Sequence, residues 1–355
     1  MATVLKNVCL SKFILQVLNS LKDANRALVH NRQTSIFSNK RVLSTSAGGQ
    51  DVKSETNQRQ EDPLPLFCSE RVQSLLGRIT GFDVTKINRV RPAASVPPEY
   101  HLLTEEQLKQ KQELAEAEAR DRLQMPPYMK AREPITEVLS RDKQIQGVNQ
   151  HKYVFTDITY AMLDRERQVV VREPDGTLRR ATWEERDKVN QIYNPQPGRK
   201  LFVPKMFSPE NLEKLLAQRK YEYVLDRACV QFEPDNVEYI RVTHRTYEVV
   251  NSRHDFDELR STRHFGPMAF YLVWHKNIDQ LLVDMLKRDK LVDGADLVQL
   301  FHAVHPDCES AQESTGLTDS LQLIELYCQR DAVERGQVEL ALQAYYAELQ
   351  TEKAA

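Results

Sequence analysis

A chain of 355 residues with 49 Lys and Arg against 51 Asp and Glu, net −2, has room for one large or two modest domains plus tails. Only 11 glycines are present, and no Gly-x-Gly-x-x-Gly, phosphate-loop or Gly-x-Ser-x-Gly pattern occurs, so neither a nucleotide cradle nor a hydrolase elbow has support. No apolar run approaches ~18 residues, which argues against a spanning helix. Cys9, Cys68, Cys229, Cys308 and Cys328 form no Cys-x-x-Cys pair and fit free thiols in a reducing compartment.

Residues 1–43 differ from the rest. Lys6, Lys12, Lys22, Arg26, Arg32, Lys40 and Arg41 face one acid, Asp23, while Leu10, Phe13, Ile14, Val17, Leu18 and Leu21 share a helical face. That reads as a mitochondrial presequence, with cleavage expected at Leu43–Ser44 after Arg41. Its charge of +6 leaves −8 on the remainder. Such a chain is a poor general polyanion binder, so any RNA contact has to come from local basic patches.

Residues 44–150 read as an extended and helical arm. After a polar lead, Ser69 starts a short helix with Val72, Leu75, Leu76 and Ile79 on one face, stopped by Gly81. Thr104 and Gln107 form a capping box for a long helix that ends before Pro126-Pro127. Its apolar stripe is thin, so it is solvated or laid on a partner.

Residues 151–205 hold the β element. Strands are predicted over Tyr153–Tyr160, Gln168–Glu173 and Thr177–Ala181, the last two joined by a hairpin turn at Pro174-Asp175-Gly176. Thr182 with Glu185 caps the helix that follows. Asn194-Pro195-Gln196-Pro197-Gly198 is a linker. Residues 206–355 repeat short helices: one opened by Ser208-Pro209, others marked by Val224/Leu225, by Asp235 capping Val237/Ile240/Tyr247, by Phe265/Leu272, Leu281/Leu286 and Leu297/Phe301. A polar loop over 307–317 precedes two last helices bearing Leu321, Ile324, Val333, Leu340 and Tyr345. Short connections predict an antiparallel α-hairpin stack. The fold class is therefore mainly α with a small β element.

Chemistry-bearing clusters are few. His302, His305 and Cys308 lie close in sequence, but Pro306 interrupts them and no fourth ligand is apparent, so they read as helix-end residues and no metal is assigned. His244, His254 and His264 among Arg241, Arg245, Arg253, Arg260 and Arg263 read as a salt-bridged face. Arg165, Arg167, Arg172, Arg179 and Arg180 around the hairpin, with Arg199 and Lys200 after the linker, are the candidate phosphate contacts, because arginine binds phosphate as a fork. Asp164, Glu166, Glu173 and Asp175 interleave, so cross-strand ion pairs are an equal reading. No nucleophile–base pair or paired carboxylates stand out. No catalytic residue, cofactor or small-molecule substrate is assigned.

The strings KYVFTDITY, RERQVVVREPDGTLRRATWEERDK, QFEPDNVEYIRVTHRTYE, LRSTRHFGPMAFYLV and LVQLFHAVHPD resemble the animal mitochondrial ribosomal small-subunit protein family numbered twenty-two in the 28S-subunit naming, from about Pro63 to Ala355. The resemblance implies a structural, non-catalytic protein of the matrix ribosome, without a bacterial counterpart. It would sit on the outer body and contact small-subunit rRNA and neighbouring ribosomal proteins. Two other readings stand beside it: a matrix ribosome-assembly factor or helical adaptor, and, less readily, a matrix enzyme.

Overall fold

The computed structural model describes residues 62–87, 100–148, 150–159, 162, 166–314 and 319–354. The presequence expected over 1–43, the cleavage at Leu43–Ser44, the lead to residue 61 and Arg165 lie outside the described residues. In chain order the main elements are α1 (Glu70–Thr80), α2 (Glu105–Arg122), β1 (Val138–Arg141), β2 (Tyr153–Thr156), β3 (Val169–Arg172), β4 (Thr177–Arg180), α3 (Trp183–Tyr193), α4 (Pro209–Ala217), α5 (Tyr221–Gln231), α6 (Val237–Arg253), α7 (Phe265–Trp274), α8 (Asp279–Lys287), α9 (Leu291–Val304), α10 (Ser320–Arg330) and α11 (Arg335–Ala354). The protein is mainly helical with one small antiparallel sheet, as the pattern predicts.

Successive helices pair across short connections: α5 with α6, α8 with α9, α10 with α11. Each turns an apolar stripe inward, and Leu216, Val224, Leu225, Val242, Met268, Leu282, Leu297, Phe301, Ile324 and Val338 join in one buried cluster. α7, FGPMAFYLVW, is apolar on nearly every side and is buried along Phe265–Val273.

One element of this core comes from far upstream. Phe67, Val72, Leu75, Leu76 and Ile79 belong to the same cluster, and α1 packs on α7 and α9. Arg78 fixes it with a two-pronged pair, donating from Nε to Asp296 Oδ2 and from Nη2 to Asp296 Oδ1, both at 2.7 Å. The arm expected over 44–150 is therefore interrupted by a core helix. Its apolar face is short, and only its partners reveal it as interior. α2 behaves as expected: the Thr104–Gln107 capping box forms, Glu116–Arg120 and Glu118–Arg122 pair at 3.8 and 3.7 Å, and Ala119 alone on the helix is buried.

Four helix ends do without glycine. Arg219, His254, Lys276 and Asp289 follow α4, α6, α7 and α8 in the left-handed region at φ +54 to +58°. Each closes the same motif. The residue after it donates to the carbonyl five back (Lys220 to Leu215, Asp255 to Val250, Asn277 to Leu272, Lys290 to Met285), while it donates itself to the carbonyl three back. The αL terminator that glycine usually supplies is here supplied by long or polar residues on the surface.

Several local expectations are corrected. Asn236, not Asp235, caps α6, accepting from the Glu238 amide at 2.9 Å. Ser69 and Ser208 stand at N-cap positions without a side-chain cap bond. The polar loop over 307–317 contains a short helix, Glu309–Glu313. Val237, Val333 and Leu340 face solvent, because their positions fall on the outer sides of α6, of the α10–α11 turn and of α11.

Two outcomes test this packing. Leu76→Ala in the full chain lowers unfolding free energy by about 2–5 kcal/mol in a denaturant titration; an unchanged midpoint would place α1 outside the core. Lys276→Gly raises stability by about 0.5–1 kcal/mol by relieving the left-handed conformation, read as a higher thermal midpoint.

Candidate nucleic-acid interface

The sheet has the order β1-β4-β3-β2. The hairpin β3–β4 forms at the predicted turn. The Gly176 amide donates to Glu173 O at 3.1 Å, the Glu173 amide to Thr177 O at 2.9 Å, and Gly176 takes φ +85°. Glycine is required twice over, since a Cβ there would stand 2.1 Å from the Asp142 carbonyl oxygen. That close approach is how β1, absent from the sequence reading, docks. Val138 pairs with Arg179, Ser140 with Leu178 and Arg141 with Thr177, across a bulge between Val138 and Ser140.

Alternation and register divide the sheet into two faces. One carries Val169 and Val171, and is covered by α3 through Val189 and by Ala181. Arg179 shares this face with Val171. It donates to Glu173 Oε1 at 2.6 Å from Nη2, and to Glu185 at 2.9 and 3.0 Å from Nη1 and Nη2. Lys152 pairs with the same two acids. Glu185 also accepts from the Thr182 amide at 2.9 Å and completes the predicted capping box. The bond from Arg179 first, then those from Lys152 and the Thr182 amide, outweigh desolvation and hold the Glu185 carboxyl far below the usual carboxylate range. A flanking stack fixes the start of α3: Arg132 and Arg186 lie 4.5 and 4.9 Å from the Trp183 ring centroid. The Trp183 indole donates to Glu133 O, and Arg132 pairs with Asp187 at 2.7 Å.

The other face carries Tyr153 and Phe155 of β2, Val170 and Arg172 of β3, Leu178 and Arg180 of β4, and Ser140 of β1. None of its apolar members belongs to a packed cluster among the described residues.

The expected phosphate contacts thus have different surroundings. Arg167 is buried and donates to the carbonyls of Asp157, Thr159 and Met162, tying the β2–β3 connection. Arg179 is bound to two carboxylates. Arg199 pairs with Glu233 at 2.8 Å, while Gln231 bonds both backbone groups of Lys200 and pins the linker to α5. Arg180 meets exposed Glu137 at 3.0 Å. Arg172 has no ion-pair partner among the described residues, and the Lys200 side chain is exposed. The hairpin therefore does not gather the arginines in one patch: Arg172 and Arg180 project from one face and Arg179 from the other. Strand alternation around a three-residue loop carries that signal, and it also places Tyr153 and Phe155 beside them.

The histidines are engaged locally. Nε2 of His302 meets Ser310 Oγ at 2.8 Å and Nε2 of His305 meets Val273 O at 2.9 Å. His264 is buried against Asp226, which Arg263 also pairs. His244 stacks on Tyr128 and lies 4.6 Å from the Tyr271 ring centroid, and burial first, then His275, lowers its pKa to about 4. The cluster read as a solvated face is partly interior, since Arg260 is buried between Asp284 and Asp293. A shallow cleft of about 340 Å³ beside α6 is lined by Val203, Phe207, Lys205 and Arg241, but Arg241 already donates to Glu238 and Phe207 O.

The fold is a packed helical body with a small sheet, one face of which carries no packed cluster among the described residues; the class of protein follows from its relatives. The family profile described as Mitochondrial 28S ribosomal protein S22 matches residues 65–306. A cattle (Bos taurus) protein described as small ribosomal subunit protein mS22 is 47% identical over 282 residues, 79% of each chain. A mouse (Mus musculus) protein of the same description is 45% identical over 309 residues, covering 86% of this chain and 83% of the relative. The chain belongs to the mitochondrial 28S ribosomal protein S22 family: it is a structural component of the small subunit of the mitochondrial ribosome and not an enzyme.

Because the folded Glu185 value is depressed, its stabilisation is full above the unfolded carboxylate pKa of about 4.3 and is lost progressively as pH falls from there through the depressed folded value. Glu185→Gln lowers stability at pH 7 by about 1–2 kcal/mol and flattens the loss of stability between about pH 5 and 3, followed by thermal melting across that range. An acid limb as steep as the wild type's would mean Glu185 is not the hub.

Proposed function

We propose that this subunit meets small-subunit rRNA through the uncovered face of its sheet and packs its helical body on neighbouring ribosomal proteins. The observation that carries the reading is the split of the hairpin arginines. Arg179 is neutralised within the fold, whereas Arg172 has no ion-pair partner among the described residues and Arg180 has only exposed Glu137. An exposed pair of this kind contributes ~0–1 kcal/mol and yields readily to a phosphate. Lys200 is a further candidate. Arg165 keeps its candidacy from sequence alone, while Arg167 and Arg199 support the fold around the site. The acidic remainder favours protein contacts over most of the surface, and the basic first 43 residues support import into the matrix.

Arg172→Glu with Arg180→Glu reduces the share of the protein in the small-subunit peak of a mitochondrial sucrose gradient and leaves the melting midpoint within about 1 °C. Arg179→Glu does the reverse, with a loss of stability first. Equal incorporation of the double variant and the wild type would remove these arginines from the interface.

A further inference from the structure

We infer that the uncovered sheet face is a base-stacking platform for an unpaired segment of RNA, with Tyr153 and Phe155 as the stacking rings and Arg172 and Arg180 as the phosphate and base-plane contacts. The inference rests on the reading that this face meets rRNA, and it specifies the form of RNA recognised.

The geometry comes from register. Tyr153, Arg172, Leu178 and Ser140 stand in one cross-strand row, and Phe155, Val170 and Arg180 in the next. Each row begins with an aromatic ring at the β2 edge and holds one guanidinium further in. Tyr153 and Phe155 are two residues apart on one strand, so their rings project in the same direction about 7 Å apart. They are 42% and 53% exposed, and neither lies in an aromatic pair among the described residues. A large aromatic on an edge strand is a solubility liability unless something covers it. Among the described residues α3 packs on the opposite face, through Val189 against Val169, Val171 and Ala181, and the Glu185–Arg179 pair holds it there.

Charge selects the occupant. Glu137 pairs with Arg180, and Arg172, between Tyr153 and Leu178, has no ion-pair partner among the described residues. An apolar protein partner would leave Arg172 desolvated and unpaired at its centre. RNA supplies both missing complements, a π face for each ring and phosphate oxygens for each guanidinium. Duplex RNA does not fit, because its bases are stacked on each other and closed to the rings. Unstacked bases of a loop, bulge or end are open to them.

The test compares full-length chains, all carrying the same basic N-terminus, for binding of single-stranded oligouridine and of the uridine–adenosine duplex of equal length. The wild type prefers the single strand. Tyr153→Leu with Phe155→Leu keeps the apolar bulk, removes the rings and weakens single-strand binding roughly tenfold or more. Phe155→Tyr retains a ring and the affinity. Arg172→Gln lowers the salt dependence of binding by about 0.7 in log–log slope. Phe202→Leu, at a still more exposed ring outside the sheet, changes nothing. Single-strand affinity unaltered by the double leucine variant, or an equal preference for duplex, overturns the platform. So does loss of small-subunit incorporation by that variant with RNA binding intact, which assigns the face to a protein neighbour. Those failures are separable from failure of the underlying reading, in which the arginine variants also leave incorporation untouched.

Discussion

Glu185 is the residue on which the arrangement of the β region depends. Its backbone amide and carboxylate close the capping box with Thr182, so it starts α3, and the same carboxylate accepts two bonds from Arg179 and pairs with Lys152. One acid therefore joins a helix start to strand β4 and to the entry of β2. With Glu173 as its neighbour it neutralises Arg179 inside the protein. The consequence is directional: α3 is fastened to one face of the sheet, and the face bearing Arg172 and Arg180 carries no packed cluster among the described residues. A sheet this small cannot bury both sides from its own apolar residues, and its packed cluster amounts to Val169, Val171 and Ala181 with Val189 against them.

The helical body solves a different problem. Most of its helices are short, and none would persist alone in water. They persist because each stripe is completed by neighbours, including α1, which enters from upstream and is held by the Arg78–Asp296 fork. Polar surface residues at αL terminators turn the chain between helices without glycine. That keeps the turns polar on the surface while the interior stays continuous from Leu76 to Val338. A rigid stack of this kind offers broad outer surfaces for protein contact, in keeping with a structural place in the small subunit.

What was legible in the sequence was local. The Pro174-Asp175-Gly176 turn, the Thr104 and Thr182 capping boxes and the apolar stripes of α4 to α10 depend on residues within a turn or two of one another. What was hidden depends on separation. β1 pairs with β4 across about forty residues, and VLSR has little strand character by itself. α1 reads as a short amphipathic helix of the arm until α7 and α9 cover it. The arginine cluster was visible as composition, but its division into a paired and an unpaired set needed strand register and the position of Glu185, whose capping role was legible while its ion pairs were not. Aromatic residues at 153 and 155 signalled a strand, and only the pairing with β3 and β4 showed that they share a face with Arg172 and Arg180.

The central claim is that the uncovered sheet face lies against rRNA while the helical body lies against protein. Ultraviolet cross-linking of intact mitochondrial small subunits, followed by mass spectrometry of nucleotide-linked peptides, tests it without altering a residue. The account predicts nucleotide adducts at Tyr153, Phe155 or their neighbours on β2 to β4, with α4 to α11 free of them. Adducts confined to the helical body, with the sheet linked only to protein, would contradict it.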